Sequence, residues 1–466
     1  MQTMQSKHFF QTACLCLMLS AVGACAVPQY PVENKALTAG MIADSEREAL
    51  YRIDEEWWQA YGDERLNALI AQALANNIDL KKAALSVNKT LYQANILGAG
   101  LVPSVNASLG ASVSHHLDNG TESKNFSSQL GLSYELDLWR KLRMKTDAQV
   151  WEVQAGGQDL AEARLALVNN VADAYWNIAY LNEALTAARK EAAHHRQILG
   201  IAQSKYRHGK TSSASAVQAE QALLGAQNTV LSLSNSRDSV LTVLRNLLNL
   251  KPNEPLAADP EYFRLTEPAG VDLDVPLNVL GNRPDVRAAE YRLNAASAGW
   301  EAQKRNWYPG ISLGLSLSSA SDKAKTMFDV LLLGGTVKVS LPFLDWKTLK
   351  WESKTAEANF DTARLNFEKT LTAALNEVDG YYAKYRYART VLQQAEQRYR
   401  LDKENSRYYE ARYRHGKAEL KDRLSALNSE YAAQQNLLSR RYELLKQESM
   451  VYKAMAGRYR HRAEQP

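Results

Sequence analysis

Ser104 to His115 reads S-V-N-A-S-L-G-A-S-V-S-H, with Val105, Ala107, Leu109, Ala111 and Val113 alternating with Ser, Asn and Gly. Gln129–Leu138, Ile311–Ser318 and Thr336–Phe343 alternate in the same way. A period of two places one class of side chain on each face of a strand. Strands are therefore predicted at 104–115, 126–138, 310–319 and 333–343. The polar, turn-rich stretches HHLDNGTESKN and SSASDKAK join them in pairs. Each pair reads as a hairpin with one apolar and one small polar face.

The pattern changes after each hairpin. No proline occurs between 104 and 251 or between 343 and 465, and both tracts are rich in Ala, Leu, Gln, Glu, Arg and Lys. This is strong helix composition. Trp139 to Tyr206 and Trp346 to Tyr413 are equally long segments, each about 100 Å as a helix at 1.5 Å per residue. The pentapeptide YRHGK then interrupts both, at Tyr206–Lys210 and Tyr413–Lys417. Gly209 and Gly416 can take the left-handed conformation that ends a helix. Arg207, His208, Arg414 and His415 sit in the last turn, where cations suit the helix dipole. Helix resumes over about 213–250 and 419–455, with Leu420, Leu424 and Leu427 at helical spacing and Tyr431 beyond. YRHGK is thus the turn of a long helical hairpin, written twice.

The echo is general. Trp139 and Trp346 keep the same offset as the two pentapeptides, and Pro103/Pro309 and Val87-Asn88/Leu293-Asn294 differ from it by one residue. The chain is a tandem duplication. Its organisation reads as 1–24 signal, 25–64 extended N-terminal segment, 65–270 first repeat, 271–457 second repeat and 458–466 basic tail. The helical hairpins fall at 140–250 and 346–456. The fold class is mixed and mainly α.

Four strands make a poor soluble sandwich. They also cannot close a membrane barrel, whose smallest single-chain form has eight. In lipid every strand edge must be paired. Two chains would supply eight strands and a bore filled by side chains; three would supply twelve and a lumen. The alternation therefore points to an oligomer, with a trimer the form that leaves a channel. The Ser, Asn and Gly face with Glu135, Asp137 and Lys338 would line it, and the Val and Leu face would meet lipid.

Composition narrows the rest. The net charge of +5 over 466 residues does not suggest nucleic acid. No run of 18 apolar residues predicts a spanning helix. Residues 1–24 carry Lys7, no acid, and an apolar run from Ala13 to Val22 that ends in VGAC. That length suits a signal peptide. Cys14, Cys16 and Cys25 all lie in this region, so a chain processed there has no disulfide, cysteine metal site or thiol nucleophile. No phosphate loop, G-x-S-x-G or H-E-x-x-H occurs. No enzyme activity and no cofactor are expected. His115-His116 and His194-His195 are adjacent pairs whose members point apart, a poor metal geometry. His208 and His415 could sense pH.

Five motifs carry a resemblance: WWQAYGDERLNALIAQAL at 57–74, YELDLW at 134–139, GNRPDVRAAEYRLNAASA at 281–298, Trp307-Tyr308-Pro309, and LPFLDW at 341–346. In NRPD, Asn282 can cap the following helix and Pro284 suits its first turn. In order and spacing the chain resembles the TolC-like outer-membrane efflux channel family, in its lipoprotein branch serving RND-type drug pumps. VGAC resembles a lipoprotein signal with Cys25 as the lipidated residue, and Ala26 after it implies outer-membrane sorting. The resemblance implies a homotrimer forming a 12-stranded β-barrel continued by a periplasmic α-helical barrel. It implies a periplasmic adaptor docking on the hairpin tips (Arg207, His208, Gly209, Lys210, Arg414, His415, Gly416, Lys417) and an inner-membrane RND pump as energy source.

It also implies a gate. The family's tyrosine three before the turn glycine matches Tyr413, with Tyr206 in the equivalent place of the first repeat. Its carboxylate six after the second glycine matches Asp422, and three such groups would form a cation-favouring ring. Its second acid is Ser425 here, its basic residue two after the glycine is Ala418, and the first repeat has Ser215. The closed state is therefore expected to depend more on hydrogen bonds and packing than on ion pairs. A channel for type I protein secretion, or a non-channel periplasmic coiled-coil adaptor, are the rival functions.

Overall fold

A computed structural model describes residues 51–118, 120–273 and 281–461. The predicted signal, Cys25 and most of the N-terminal segment lie outside the described residues. The elements are β1 (Tyr51–Asp54), α1 (Glu64–Asn76), α2 (Ile78–Gly98), β2 (Ser104–His115), β3 (Glu122–Leu136), α3 (Lys141–Arg207) and α4 (Ser213–Leu247). They continue with α5 (Pro284–Arg305), β4 (Gly310–Ser321), β5 (Leu332–Ser340), α6 (Trp346–Arg414), α7 (Leu420–Ala454) and β6 (Arg458–His461). The chain forms two compact units, and each takes elements from both sequence repeats.

The first unit, 85–158 with 288–368, holds a four-stranded antiparallel sheet in the order β2-β3-β4-β5. The hairpins of the two repeats pair through β3 and β4, from Phe126↔Ser321 to Leu136↔Ile311. Toward the helical end of the sheet the register sets apolar residues against apolar ones. Val105 lies opposite Leu132, Leu132 opposite Leu315, and Leu313 opposite Val337. On the other face Asn106 lies opposite Gly131, Gly131 opposite Ser316, and Ser316 opposite Gly334. A one-residue slip would exchange the faces, so the alternation excludes it. In the helices of this unit, Trp151 of α3 stacks on Tyr291 of α5, and Trp300 of α5 on Phe360 of α6.

Several boundaries differ from expectation. β3 starts at Glu122 because the polar Glu122–Asn125 continues the ladder against Ser112–His115. It stops at Leu136 because Asp137 turns away to accept hydrogen bonds from the Leu142 and Arg143 backbone N–H groups, opening α3. β5 stops at Ser340, and Pro342, without an N–H, opens a 3₁₀ turn to Asp345. β4 runs two residues beyond the predicted end.

The second unit is 159–287 with 369–461 and the described part of the N-terminal segment to residue 84. Residues 51–64 are not simply extended. They form β1 and a 3₁₀ turn, Trp57–Tyr61, before α1. The basic tail is not free either, since Arg458–His461 pairs antiparallel with β1 as β6.

The motif beginning WWQAYGD now has a physical reading. Trp57 and Trp58 are buried with Trp176 and Tyr452 in the main core. Gly62 takes φ 62° to end the 3₁₀ turn. Asp63 caps α1 through the Arg65 N–H and accepts a hydrogen bond from the Tyr175 hydroxyl. Leu66, Leu69, Ile70 and Ala73 form the buried stripe of α1.

Asn282 does not cap α5. The first helical bond runs from the Arg287 N–H to the Arg283 carbonyl, 3.0 Å, while the Asn282 side-chain oxygen Oδ1 accepts from the Arg287 guanidinium, 2.9 Å. Arg283 itself is buried. Its guanidinium donates to both carboxylate oxygens of Asp285 (3.0 and 2.7 Å), to Glu377 of α6 (2.7 Å) and to the Ala454 carbonyl at the end of α7 (2.6 Å). One side chain ties three helices.

Candidate functional site

The residues singled out in the sequence fall in two places in the fold: the sheet and the helical tips.

Among the described residues, β2 bonds only to β3, and β5 only to β4. Each outer strand presents a row of open N–H and C=O groups, and the apolar face is exposed. Leu109 is 74% exposed and Val337 71%. The polar face is close-set: a Cβ on Gly131 would stand 2.5 Å from Asn106 Oδ1. Glu135 and Lys338 share one row of it through Ser312, and the Lys141 ammonium donates to Glu135 at 2.7 Å. Where strand passes to helix, Trp139 stacks on Tyr308 at 5.0 Å and donates its indole N–H to the Pro309 carbonyl, 2.8 Å. Thus YELDLW and the Tyr-Pro pair, distant in sequence, meet. Trp346 and Trp351 are exposed at the corresponding place in the second repeat. Aromatic residues at such a boundary suit a lipid headgroup interface.

At the tips both pentapeptides build the same cap. Lys210 N–H bonds the Lys205 carbonyl (2.9 Å) and Gly209 N–H that of Tyr206 (2.9 Å). Lys417 N–H bonds the Arg412 carbonyl (2.8 Å) and Gly416 N–H that of Tyr413 (3.1 Å). Gly209 and Gly416 have φ 67° and 70°. This is the six-to-one closure of a left-handed helix end. Arg207, His208, Lys210, Arg414, His415 and Lys417 are exposed around it.

The gate positions separate. Tyr206 is half-exposed. Tyr413 accepts a hydrogen bond from Lys205 of α3, 3.0 Å, and the Arg423 guanidinium lies 5.0 Å over its ring. Asp422 and Ser425 are exposed on one face of α7. Asp422 also accepts from the Glu419 N–H, 3.2 Å, which caps α7. Ser215, where the first repeat lacks the acid, accepts a hydrogen bond from the Thr211 hydroxyl, 2.9 Å.

Motif matching missed Arg423. It is buried beside Leu424, pairs with Glu410 of α6, and reaches the His194 ring of α3 at 3.4 Å. His194 in turn meets the Tyr431 hydroxyl at 3.2 Å. The sequence signal was an arginine on the Leu420/Leu424/Leu427 face. Burial, then the Arg423 charge, lowers the His194 pKa, so this ring is neutral at pH 7. Arg423→Ala is expected to cost about 2 kcal/mol, because partly buried Glu410 loses its buried cation and keeps only the exposed Arg414. The check is limited proteinase K digestion: cleavage at the tips should accelerate, whereas Arg414→Ala, exposed on the same Glu410, should leave the rate unchanged.

An open sheet with one apolar face, on long helical hairpins with capped tips, defines a subunit of a membrane channel. The profile of the outer membrane efflux protein family matches residues 69–250 and 275–457, one match in each repeat. An uncharacterized protein of Haemophilus influenzae is 41% identical over 410 residues, 88% of this chain and 90% of that protein. Toxin and drug export protein A of Aggregatibacter actinomycetemcomitans is 38% identical over the same shares. The CmeC outer membrane channel of Campylobacter jejuni has the same fold, with TM-score 0.79 at 23% identity, covering 92% of each chain. The chain belongs to the outer membrane efflux protein family. It is an outer-membrane channel subunit of an efflux system, not an enzyme.

Proposed function

We propose that three copies close one conduit: twelve strands as a barrel in the outer membrane and twelve long helices as a tube into the periplasm. The observation that carries this reading is the four-stranded sheet with two open edges and an exposed apolar face, which lipid does not tolerate unpaired. The Ser, Asn, Gly and Lys338 face lines the lumen. Cys25 bears the lipid anchor. The tip residues Arg207 to Lys210 and Arg414 to Lys417 dock a periplasmic adaptor, which joins the conduit to an RND-type inner-membrane pump. Transport through the channel is passive and carries drugs or other small toxic compounds. The test is electron microscopy of the lipidated protein in mild detergent. A three-fold tube is expected; a monomer would overturn the reading.

At the closed mouth, the exposed Asp422 carboxylates of three copies make a cation-favouring ring, with Ser425 one turn on, and Tyr413 and Tyr206 hold the tips. In planar bilayers Asp422→Ala is expected to reduce cation preference. Unchanged conductance and selectivity would remove the ring from the mechanism.

Protein export is the second reading, favoured by the 38% identical relative whose name joins toxin and drug export. Deletion should raise drug susceptibility under the first reading, and abolish secretion of a protein under the second.

A further inference from the structure

We infer that Lys338 sets a charge preference inside the barrel: its ammonium group has no acid to neutralise it, so the sheet region of the conduit admits anionic solutes ahead of cationic ones. The inference rests on the trimer proposed above, with the polar face of the sheet toward the lumen.

That face is almost without charge. The register assigns to it alternate residues of all four strands, from Ser104 to Ser114 on β2, Ser123 to Glu135 on β3, Gly310 to Ala320 on β4 and Leu332 to Ser340 on β5. Glu135 and Lys338 are the two charged residues among them. They share one row, Glu135 opposite Ser312 and Ser312 opposite Lys338. Two strand spacings, about 10 Å, separate their backbones. Glu135 is already taken, since Lys141 donates to its carboxylate at 2.7 Å. Asp137, which the alternation would place near them, instead caps α3, and its side chain is 7% exposed. Lys338 is exposed, and it forms no ion pair among the described residues.

A neighbouring copy does not neutralise it either. In a barrel closed by identical sheets, the open edge of β5 pairs with the open edge of β2 in the next copy. The polar face of β2 carries only Ser, Asn and Gly. On the other side of β5, the polar face of β4 offers Ser, Gly and Ala. Whatever the register across the junction, no acid stands on a strand beside Lys338.

Three copies place three such cations at one height, because rotation about the barrel axis leaves height unchanged. No second ring joins or opposes them, since the first repeat has Gly131 at the same distance from Trp139 as Lys338 from Trp346. A ring of one sign between walls of low dielectric concentrates counter-ions and repels ions of its own sign. Compounds bearing carboxylate, sulfonate or phosphate groups are therefore favoured at this height.

The test reads a thiol placed just past the ring. Ser340→Cys lies two residues beyond Lys338 on the same face, about 7 Å along the strand. The full-length protein is reconstituted in lipid vesicles and its native mass recorded. Modification rates are then measured with two membrane-impermeant thiosulfonates, one carrying a sulfonate and the other a trimethylammonium group. Each rate is taken relative to the reaction with free cysteine, and the chain without Ser340→Cys sets the background. At about 0.02 M salt the anionic reagent should be favoured, and adding Lys338→Gln should lower the anionic-to-cationic ratio about threefold or more. Lys338→Arg should retain the ratio. At 1 M salt, where the screening length is about 3 Å, the Lys338→Gln chain and its parent should converge. A trimeric native mass with a ratio that Lys338→Gln leaves unchanged overturns the role of Lys338 but leaves the trimer standing. A monomeric native mass overturns both together.

Discussion

Arg283→Ala should destabilise the helical unit by about 3 kcal/mol. This is the lower end for breaking a buried ion pair, because Glu377 keeps 36% of its side chain in water. The guanidinium holds Asp285 by two hydrogen bonds, Glu377 by one and the Ala454 carbonyl by another, so its loss strands groups on three helices. Burial alone would favour deprotonation, but Asp285 and Glu377 more than offset it and the pKa is raised. Lysine should rescue little, since an ammonium cannot present the planar fork that meets Asp285 with two N–H groups and still reaches the other two acceptors. Urea unfolding followed by tryptophan fluorescence measures the effect. A loss below 1 kcal/mol for Arg283→Ala would show that the motif is not a structural tie.

The second large effect is expected at Glu448. Its carboxylate, fully buried on α7, accepts hydrogen bonds from Tyr61, Tyr452 and the backbone N–H groups of Ala269 and Gly270. Glu448→Leu strands up to three donors, since the Tyr452 hydroxyl keeps the Gly270 carbonyl as acceptor, at about 1–3 kcal/mol for each one left unsatisfied. Loss of several kcal/mol, and of the fixed path of Ala269 and Gly270, should follow. Glu448→Gln keeps the shape and one acceptor oxygen, so about 1 kcal/mol is expected.

The pH dependence tests the carboxyl itself. Burial raises the Glu448 pKa, although its four hydrogen bonds pull it down. An acid whose folded pKa lies above its unfolded value binds more protons when folded. Its contribution is full below the ordinary value of 4.5 and is lost as pH rises through the folded value. Relative to wild type, Glu448→Gln should therefore fare worse at pH 5 than at pH 7. Parallel urea curves at the two pH values decide it, and a difference independent of pH would reject the assignment.

Much of the fold was legible because two periods are local. Val105 to Val113 alternates at two, and a one-residue slip would turn its apolar set to the polar face. YRHGK was legible because a glycine at a helix end has one dominant use, and both copies have it. Asp422 and Tyr413 could be placed by their distance from Gly416. Their surroundings could not. Arg423 stands one residue from Asp422, yet it points into the bundle because three and four residues separate it from Leu420 and Leu427. Its partners Glu410 and His194 come from other helices. Asn282 shows the reverse error: a good capping residue by type was displaced, and the Arg283 carbonyl accepts the first helical bond.

The sequence by itself determined the duplication, the four strands with their apolar and polar faces, and the long helices with their two glycine-capped tips. The strands and the helix ends follow from backbone periodicity and conformational preference among near neighbours in the chain, and the duplication from motifs that recur at one offset. Tertiary structure alone decided which side chains meet. Arg283 clasps Glu377 and Ala454, Glu448 anchors the Gly270 segment, and the basic tail becomes a strand beside β1. Those contacts join residues more than 90 positions apart, and no local rule ranks one buried arginine or glutamate over another. They are fixed when the helices pack, since a buried charge must find its partner or leave the core.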